Sequence, residues 1–309
     1  MVGSELPFNA EYFYRKAFSA LGNEVYLVNS YADIGHPLIS RLIHSRTTVF
    51  NFTLRYLWIN NNLLKKVEEI DPDVIIIFKG DMISTDVLSE LSQNWDIYLF
   101  YPDTFKFKPL LKNRLGYFRA VFTASNNKQF YYELGARKAV TVPWACDPDF
   151  HRKIDTEKKY KVSFVGTAYP ERRRIVRNIQ GVNVFGDFWF GFGKLSHPPV
   201  YGNEFVKTIN QTDINLNIQA KVSIQADAPT MRTFEVAGCG GFQISDYMPS
   251  IRRYFPMLPT FHSITELKEL IHYFSDNCSE AIDIGYKTME ICHSSYKYVD
   301  AARMILSSL

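Results

Sequence analysis

The sequence predicts an α/β protein made of two doubly wound, Rossmann-like domains. Short apolar runs alternate with segments in which apolar residues recur every three or four positions, which are the patterns of buried strands and amphipathic helices. Turn residues separate these segments, and parallel neighbouring strands need helical crossovers between them. A length of 309 residues is enough for about two such domains.

The first half contains five predicted strands in addition to a stub at residues 1–2. The clearest is residues 74–78, which is apolar throughout, as in a parallel strand covered on both faces. The other predicted strands are residues 25–28, 97–101, 120–123 and 139–142, and the predicted helices are residues 10–21, 54–70, 85–93, 110–115 and 128–134.

The second half repeats the alternation after a linker with two prolines and a charged run, at residues 143–160. The predicted strands are residues 162–165, 182–185, 214–218 and 242–245, and the predicted helices are residues 172–179, 205–210, 231–237, 263–274, 279–292 and 295–307. We therefore expect an N-terminal domain at 1–145, a C-terminal domain at 146–292, and a final helix at 293–309 that crosses back to the first domain.

Composition excludes several functional classes. The 35 Lys and Arg residues against 32 Asp and Glu residues leave a net charge of +3, too small for a dedicated nucleic-acid binder. No apolar run of about 18 residues is present, and the start of the sequence does not resemble a signal peptide. The four cysteines are far apart, so we expect neither a zinc site nor disulfides, and a cytoplasmic location.

Ligands of doubly wound sheets bind outside the carboxyl ends of the strands, so we expect two such domains to face a cleft. The sequence contains neither a GxxxxGK[ST] phosphate loop nor a GxGxxG segment after a strand. These absences disfavour a P-loop nucleotide hydrolase and a dinucleotide-dependent dehydrogenase.

The most informative stretch is residues 227–246, in which a loop, a helix, a glycine-rich break and a strand follow one another. Glu235 lies one turn into the helix, where a carboxylate can accept hydrogen bonds from two ribose hydroxyls. Arg232 lies three residues earlier, on the same helix face, and can neutralise a diphosphate. Gly240 and Gly241 permit a close approach of the backbone to a ligand.

This stretch resembles the nucleotide-sugar signature of two-domain glycosyltransferases of the GT-B fold. In their retaining group-1 branch, two acidic residues are separated by seven positions and the second binds ribose; Asp227 and Glu235 have this separation. A closer resemblance, over most of the chain, is to spore-maturation CgeB-type glycosyltransferases. It includes residues 72–80, 101–103, 162–167 with Arg172, 232–241 and 293–303. The resemblance implies a nucleotide-diphosphate sugar bound by the C-terminal half and an acceptor bound by the N-terminal half.

Glycosyl transfer expels a nucleoside diphosphate, so fixed hydrogen-bond donors aimed at the phosphates lower the barrier. The candidate donors are Arg172, Lys221, Arg232 and the backbone at Gly166 and Thr167. With these groups in place no metal ion or other cofactor is required. Two Asp-Pro-Asp triplets, at 71–73 and 147–149, are interpreted as turns and not as metal ligands.

In the N-terminal half, charged residues follow two predicted strands. Lys79 and Asp81 come after the strand at 74–78, and Asp103 comes after the next one. We expect them on the acceptor side, where either carboxylate can act as a base in an inverting enzyme. A cluster of basic and aromatic residues lies at 106–119. It is compatible with a peripheral contact of the protein with the inner membrane face.

The sequence thus predicts a metal-independent glycosyltransferase that uses a nucleotide-diphosphate sugar, with a UDP-sugar as the default donor. The acceptor, whether glycan, lipid or protein, and the oligomeric state stay open. Two alternatives remain: a non-catalytic two-domain protein that binds a nucleotide or a sugar, and a nucleotide-sugar epimerase on the same fold.

Overall fold

The computed structural model of the chain describes residues 1–30, 49–102 and 111–309. By their internal contacts these residues form two compact units. Unit 1 comprises Met1–Val142 and Ala302–Leu309, and unit 2 comprises Pro143–Ala301. The last helix, Tyr298–Leu306, therefore begins in unit 2 and ends in unit 1.

Each unit contains one six-stranded sheet in which every pair of neighbouring strands is parallel. The strands of unit 1 are β1 Val2–Gly3, β2 Val28–Asn29, β3 Val74–Phe78, β4 Asp96–Phe100, β5 Val121–Thr123 and β6 Ala139–Thr141. Those of unit 2 are β7 Tyr160–Val165, β8 Val182–Phe185, β9 Ser196–His197, β10 Thr212–Asn217, β11 Gln243–Asp246 and β12 Thr260–Phe261.

Helices connect the strands. In unit 1 they are α1 Ala10–Ala20, α2 Val49–Ile70, α3 Thr85–Asn94 and α4 Gln129–Glu133. The following helices are α5 Pro170–Val176, α6 Gly202–Asn210, α7 Lys221–Gln225, α8 Met231–Gly238, α9 Pro249–Tyr254, α10 Ile264–Asp276, α11 Cys278–Ser295 and α12 Tyr298–Leu306. The predicted doubly wound α/β class is confirmed, and the predicted bounds of β3 and β8 match the observed ones.

The strand order contains one reversal in each sheet. The first sheet has the order β2-β1-β3-β4-β5-β6, so its reversal lies between β1 and β3. The second has the order β12-β11-β10-β7-β8-β9, with the reversal between β7 and β10. In open α/β sheets the ends of the strands at such a switch point are where ligands bind. The two-residue β1 is thus a central strand, consistent with the predicted stub.

Local sequence explains several element boundaries. The helix α10 begins with a capping box, because the Ser263 hydroxyl accepts a hydrogen bond from the Glu266 N–H (3.1 Å). The Glu266 carboxylate in turn accepts from the N–H of His262 (2.7 Å). Sequence analysis missed β9, β12, α7 and α9, which are too short to show a periodic pattern.

Candidate functional site

The switch point of the second sheet carries an arginine that joins its two central strand ends. Arg172 projects from α5 and donates from Nε to the carbonyl oxygen of Ile218, directly after β10 (2.8 Å). Its Nη1 donates to the carbonyl oxygen of Thr167, two residues after β7 (3.2 Å). The fork of one guanidinium group therefore spans the position where a doubly wound sheet binds its ligand.

Two aromatic rings pack against the guanidinium group of Arg172. Its Cζ lies 5.3 Å from the ring centroid of Phe164 and 5.1 Å from that of Tyr169, both within cation–π range. Burial lowers the pKa of Arg172 below its usual value, and the positive charge of Arg232 lowers it further. Tyr169, Asp246 and Glu171 act in the opposite direction. Two guanidinium groups near the same strand ends favour an anionic ligand.

A buried carboxylate lies at the end of the neighbouring strand, β11. Asp246 is the last residue of β11, and its Oδ2 accepts a hydrogen bond from the N–H of Gln219 (2.6 Å). Burial raises the pKa of Asp246 to about 6, against the opposing effects of that hydrogen bond and of Arg172. The Gln219 side chain also accepts from the N–H of Thr230, directly before α8 (3.1 Å). The helix α8 therefore begins at the same edge of the sheet, and its N-terminus adds positive potential there.

Arg232 forms the second cationic group of the site. It lies in the first turn of α8, with a side chain that is 27% exposed, and its Nη1 is 2.9 Å from Glu235 Oε2. Its Cζ lies 4.1 Å from the ring centroid of Phe205. On the other side, Glu235 Oε1 is 3.7 Å from Nε2 of His151. The carboxylate therefore lies between an arginine and a histidine.

Glu235 itself is only 4% exposed. Burial by itself would raise its pKa, but the charge of Arg232 and the hydrogen bond of His151 outweigh burial and hold the pKa below the usual value. His151 is oriented by its own backbone contact, because Nδ1 accepts from the N–H of Asp147 (3.0 Å). This leaves Nε2 to face Glu235. The observed role of Glu235 is to fix Arg232, and its predicted contact with ribose stays a prediction.

A buried hydrogen-bond network supports α8 against the sheet. Asn217 Nδ2 donates to Thr233 Oγ1 (2.8 Å) and to Gln243 Oε1 (2.9 Å). Gln219 Nε2 donates to Asn217 Oδ1 (2.9 Å), and Gln243 Nε2 donates to the carbonyl oxygen of Thr233 (2.9 Å). Because polar groups so deeply buried must keep their partners, the network holds the start of α8 and therefore Arg232 in one position.

The structure places the other predicted residues of unit 2 at the same strand ends, with two exceptions given below. Gly166 and Thr167 follow β7, but the N–H of Gly166 already donates to the carbonyl oxygen of Phe185 (2.8 Å). Lys221 is exposed and begins α7, which follows β10. Asp227 lies in the loop before α8, and its Oδ1 accepts from the N–H of Ser250 (3.0 Å). Asp227 therefore holds the start of α9 in addition to any contact with a ligand.

The expectation that Gly240 and Gly241 line the site is wrong. They precede β11, whereas the site lies after its last residue, and a four-residue strand spans roughly 13 Å. A Cβ at Gly241 would lie 2.5 Å from Cγ2 of Ile209, and a Cβ at Gly240 would lie 3.1 Å from the sulfur of Met289. Packing within unit 2, not a ligand, requires small residues here.

In unit 1, Lys79 and Asp81 lie in the turn after β3, at the switch point of the first sheet. Lys79 is exposed, and its backbone has a positive φ of 65°. Arg114 donates to the carbonyl oxygens of Gly80 and Asp81 (3.4 and 3.3 Å), so its guanidinium group supports this turn. Asp103 lies outside the described residues, and no structural statement is made about it.

Sequence reasoning missed three residues of the site in unit 2. Gln219 and Asp246 each come directly after a predicted strand, as Lys79 does, so their positions in the sequence carried a signal. His151 gave no signal, because it lies in the stretch interpreted as a linker. Only the folded chain brings it to Glu235.

The Asp-Pro-Asp triplets are turns in the structure. Asp71–Asp73 joins α2 to β3, at the strand end away from the switch point, and Asp147 Oδ1 accepts from the N–H of Asp149 (3.0 Å). Among residues 1–30, 49–102 and 111–309, no group of three His, Cys, Asp or Glu side chains is arranged to hold a metal ion. No described helix has the length and apolar character needed to cross a bilayer.

Comparison with known proteins identifies the family. A family described as "Glycosyl transferase-like" matches residues 148–307, just over half of the chain. The chain belongs to this family. The protein is therefore a glycosyltransferase-type enzyme, and the site described above lies within the matched region.

One curated relative aligns with most of the chain. Spore protein CgeB of Bacillus subtilis (strain 168) is 23% identical over 244 residues, which cover 70% of this chain and 76% of that protein. The resemblance to CgeB-type glycosyltransferases is thus confirmed.

Solved glycosyltransferase structures share the fold. Sucrose-phosphate synthase of Thermosynechococcus elongatus aligns with a TM-score of 0.68 at 11% identity, over 96% of this chain and 91% of that one. Anabaena HepE, solved in complex with UDP-glucose, aligns with a TM-score of 0.63 at 13% identity, over 100% and 99% of the two chains. The predicted GT-B fold is confirmed.

Proposed function

We propose that this glycosyltransferase takes its sugar from a nucleotide-diphosphate donor, a UDP-sugar by default, and binds the diphosphate at the switch point of the second sheet. The carrying observation is Arg172, which spans the ends of β7 and β10 with Arg232 close enough to affect its pKa. The complex of the structurally similar HepE with UDP-glucose supports the choice of donor.

The chemistry fits these residues. Transfer breaks the bond between the anomeric carbon and a phosphate oxygen, so negative charge grows on the departing diphosphate. Preorganised guanidinium groups stabilise that charge because they need no reorientation during the reaction. We propose that Arg172 and Arg232 supply this stabilisation, with Lys221 and the backbone at Thr167 as additional donors, and that no metal ion takes part.

We propose that Glu235 has two roles in binding the donor. The first is to hold Arg232 in place through their ion pair, at 2.9 Å. The second is a contact with the ribose of the nucleoside, which the spacing of Asp227 and Glu235 predicts from the glycosyltransferase signature. A carboxylate that fixes Arg232 and accepts from a ribose hydroxyl would link recognition of the nucleoside to placement of the phosphate.

We propose that Lys79, Asp81 and Asp103 bind the acceptor. Lys79 and Asp81 lie at the switch point of the first sheet, where a doubly wound domain binds its ligand. A carboxylate there would serve as the base that deprotonates the acceptor hydroxyl if the anomeric configuration inverts.

The donor assignment is tested by incubating the protein with a panel of UDP-sugars and measuring UDP release to water and to added acceptors. The Arg172→Ala variant should lose this release, whereas Arg174→Ala, on the exposed side of the same helix, should keep it. Binding of UDP without turnover of any sugar would favour the non-catalytic binding protein. Conversion of the sugar without transfer would favour the epimerase.

The two roles of Glu235 can be distinguished by measuring the affinity of the protein for uridine, UMP and UDP. If Glu235 binds ribose and also fixes Arg232, Glu235→Gln weakens uridine about tenfold, the scale of a hydrogen bond to a charged group, and weakens UDP by a larger factor. If Glu235 only fixes Arg232, the variant weakens UDP and leaves uridine unchanged. Calorimetric titration measures the three affinities, and unchanged values for all three ligands would refute both proposed roles of Glu235 in binding.

A further inference from the structure

The loop between β8 and β9 exposes two phenylalanines beside the strand ends of unit 2. We call residues 187–195 the aromatic tip. Phe188 is 50% exposed and Phe190 is 69% exposed, and their ring centroids are 6.3 Å apart. Among the residues whose side-chain exposure the structure describes, no other Phe is as exposed. Two adjacent rings facing water are unfavourable unless another surface covers them.

The aromatic tip is fixed in place. Trp189, between the two exposed rings, is only 3% exposed, and its Nε1 donates to the carbonyl oxygen of Gly166 (2.8 Å). Its ring packs edge-on against Phe164 (centroids 5.5 Å apart). Phe188 has a φ of +66°, a conformation that is unfavourable for a bulky side chain. The fold therefore presents both rings outward on a rigid base, in spite of local strain.

Cations surround the aromatic tip. Arg173 donates from Nη2 to the carbonyl oxygen of Phe188 (2.6 Å), and the Cζ of Arg177 lies 5.9 Å from the ring centroid of Phe192. Arg174 on the same helix and Lys194 within the tip are exposed. Two arginines thus contact the aromatic tip, two further exposed cations lie on the same two segments, and the carboxylates on those segments are Glu171 and Asp187.

We propose that the aromatic tip is a docking surface for an anionic lipid bilayer. Phe188 and Phe190 would enter the boundary between headgroups and acyl chains, and the four cations would lie against the lipid phosphates. Exposed aromatic rings combined with Arg and Lys are what interfacial membrane binding requires, since burial of the rings and attraction to anionic lipid act together. A protein partner would need an acidic surface with an apolar centre, whereas a bilayer supplies both features without a specific sequence.

This surface is independent of the proposed donor site, although the two adjoin. The carbonyl oxygen of Gly166 accepts from Trp189, and Gly166 itself follows β7, one residue before Thr167, whose carbonyl oxygen accepts from Arg172. Docking would therefore hold the bilayer near the strand ends of unit 2. Failure of lipid binding would leave the donor assignment untouched, and loss of UDP binding would leave the aromatic tip untouched.

The test is vesicle flotation with the full chain. The protein should float with vesicles of phosphatidylcholine that contain about one third phosphatidylglycerol, and not with phosphatidylcholine alone. The double variant Phe188→Asn/Phe190→Ser should bind at least about tenfold less; Asn tolerates the positive φ at position 188, so the variant should fold. The matched control is Ile282→Ser, which removes a 52% exposed apolar side chain of α11 and should bind as well as the unmodified protein.

A charge reversal tests the cations. Arg174→Glu should weaken flotation about tenfold at low salt, and this difference should shrink at high salt as charges are screened. Lys268→Glu, an exposed residue of α10, is the control and should change little. Equal flotation of the double variant and the unmodified protein would overturn the proposal, as would no flotation at all. Self-association that disappears in the double variant would also overturn it, because the aromatic tip would then bind a second copy.

Discussion

The switch points of the two sheets have the same topology and different chemistry. In the first sheet, the ends of β1 and β3 carry the Ser4 hydroxyl, which accepts from the N–H of Leu6 (3.2 Å), and the exposed Lys79. In the second, Arg172 joins the ends of β7 and β10 with two charged hydrogen bonds. The fold therefore fixes where a ligand can bind. The side chains that follow the strands decide what kind of ligand it is.

The two switch points also differ in how their charges are held. At the second, Arg172 lies against two aromatic rings, and Arg232 lies against Phe205 and Glu235. Groups fixed in this way lose little freedom on binding, so more of their interaction energy reaches the ligand. This difference supports the proposal that the second sheet binds the anionic diphosphate, and substitutions at the edges of the two sheets test it.

The largest expected effect is at Arg172. Arg172→Ala should lower kcat/KM for a UDP-sugar by about 10²–10³-fold, roughly 3–4 kcal/mol, the scale for removing one fixed donor to a developing negative charge. Steady-state kinetics measure it. Arg172→Lys keeps the charge but not the fork that reaches both strand ends, so it should recover only part of the loss. Full activity of Arg172→Lys would show that the charge alone matters.

The second largest expected effect is the dependence of the unfolding free energy on the protonation of Asp246. Its folded pKa of about 6 lies above the ordinary value of 3.8 for an aspartate, so the folded protein binds more protons than the unfolded chain between about pH 4 and pH 6. The associated stability is fully present below about pH 4 and is lost as the pH rises through 6. It amounts to roughly 3 kcal/mol.

Asp246→Asn should therefore flatten the change in unfolding free energy across this window. Urea unfolding at several pH values between 4 and 7.5 measures it. Asp276→Asn, which removes an exposed carboxylate of α10, should keep the slope of the unmodified protein. A slope that survives in Asp246→Asn would assign the titration to another group.

A third substitution compares the two ends of the second sheet. Gly241→Ala places a methyl group 2.5 Å from Ile209 at the end away from the site, so it should lower the free energy of unfolding by about 1–3 kcal/mol. The affinity of the folded protein for UDP should stay the same. Thermal unfolding and calorimetry measure the two quantities separately. A loss of affinity for UDP without a loss in the free energy of unfolding would show that Gly241 lies near the ligand after all.

The smallest expected effect is at the first switch point. Lys79→Ala should change the affinity for UDP by less than about twofold, because an exposed side chain of unit 1 is not assigned to the diphosphate. Transfer to an acceptor is where we expect it to act. A tenfold weaker binding of UDP in Lys79→Ala would mean that both switch points hold the phosphates.

Much of the fold and part of the site could be predicted from the sequence. The apolar run Val74–Phe78 and the patterned helices are local signals, and local signals survive folding. The spacing of Arg232 and Glu235 is also local, since three residues are about one helical turn, and the structure shows their ion pair at 2.9 Å. Gly240 and Gly241 were misassigned because a glycine needed for packing looks the same in a sequence as one needed for a ligand.

Residues distant in sequence could not be placed in this way. Asn215 and Asn217 alternate with apolar residues in β10, a pattern typical of a half-exposed strand, yet both are buried. Their Nδ2 groups find partners only in the folded protein, on Phe242 for Asn215 and on Thr233 and Gln243 for Asn217. Burial of a polar side chain depends on whether its hydrogen bonds are met, and those partners come from other elements.

Local patterns in the sequence were enough to predict two doubly wound sheets, and a helix in the second half with an arginine and a glutamate on one face. Both predictions rest on the recurrence of apolar residues and on spacings within single helices and strands. The folded structure was needed to show that Arg172 joins two strand ends, that His151 faces Glu235 and that Asp246 is buried near Arg172. Those contacts connect residues 46, 84 and 27 positions apart, Arg172 to Ile218, His151 to Glu235 and Gln219 to Asp246, and only chain packing can bring them together.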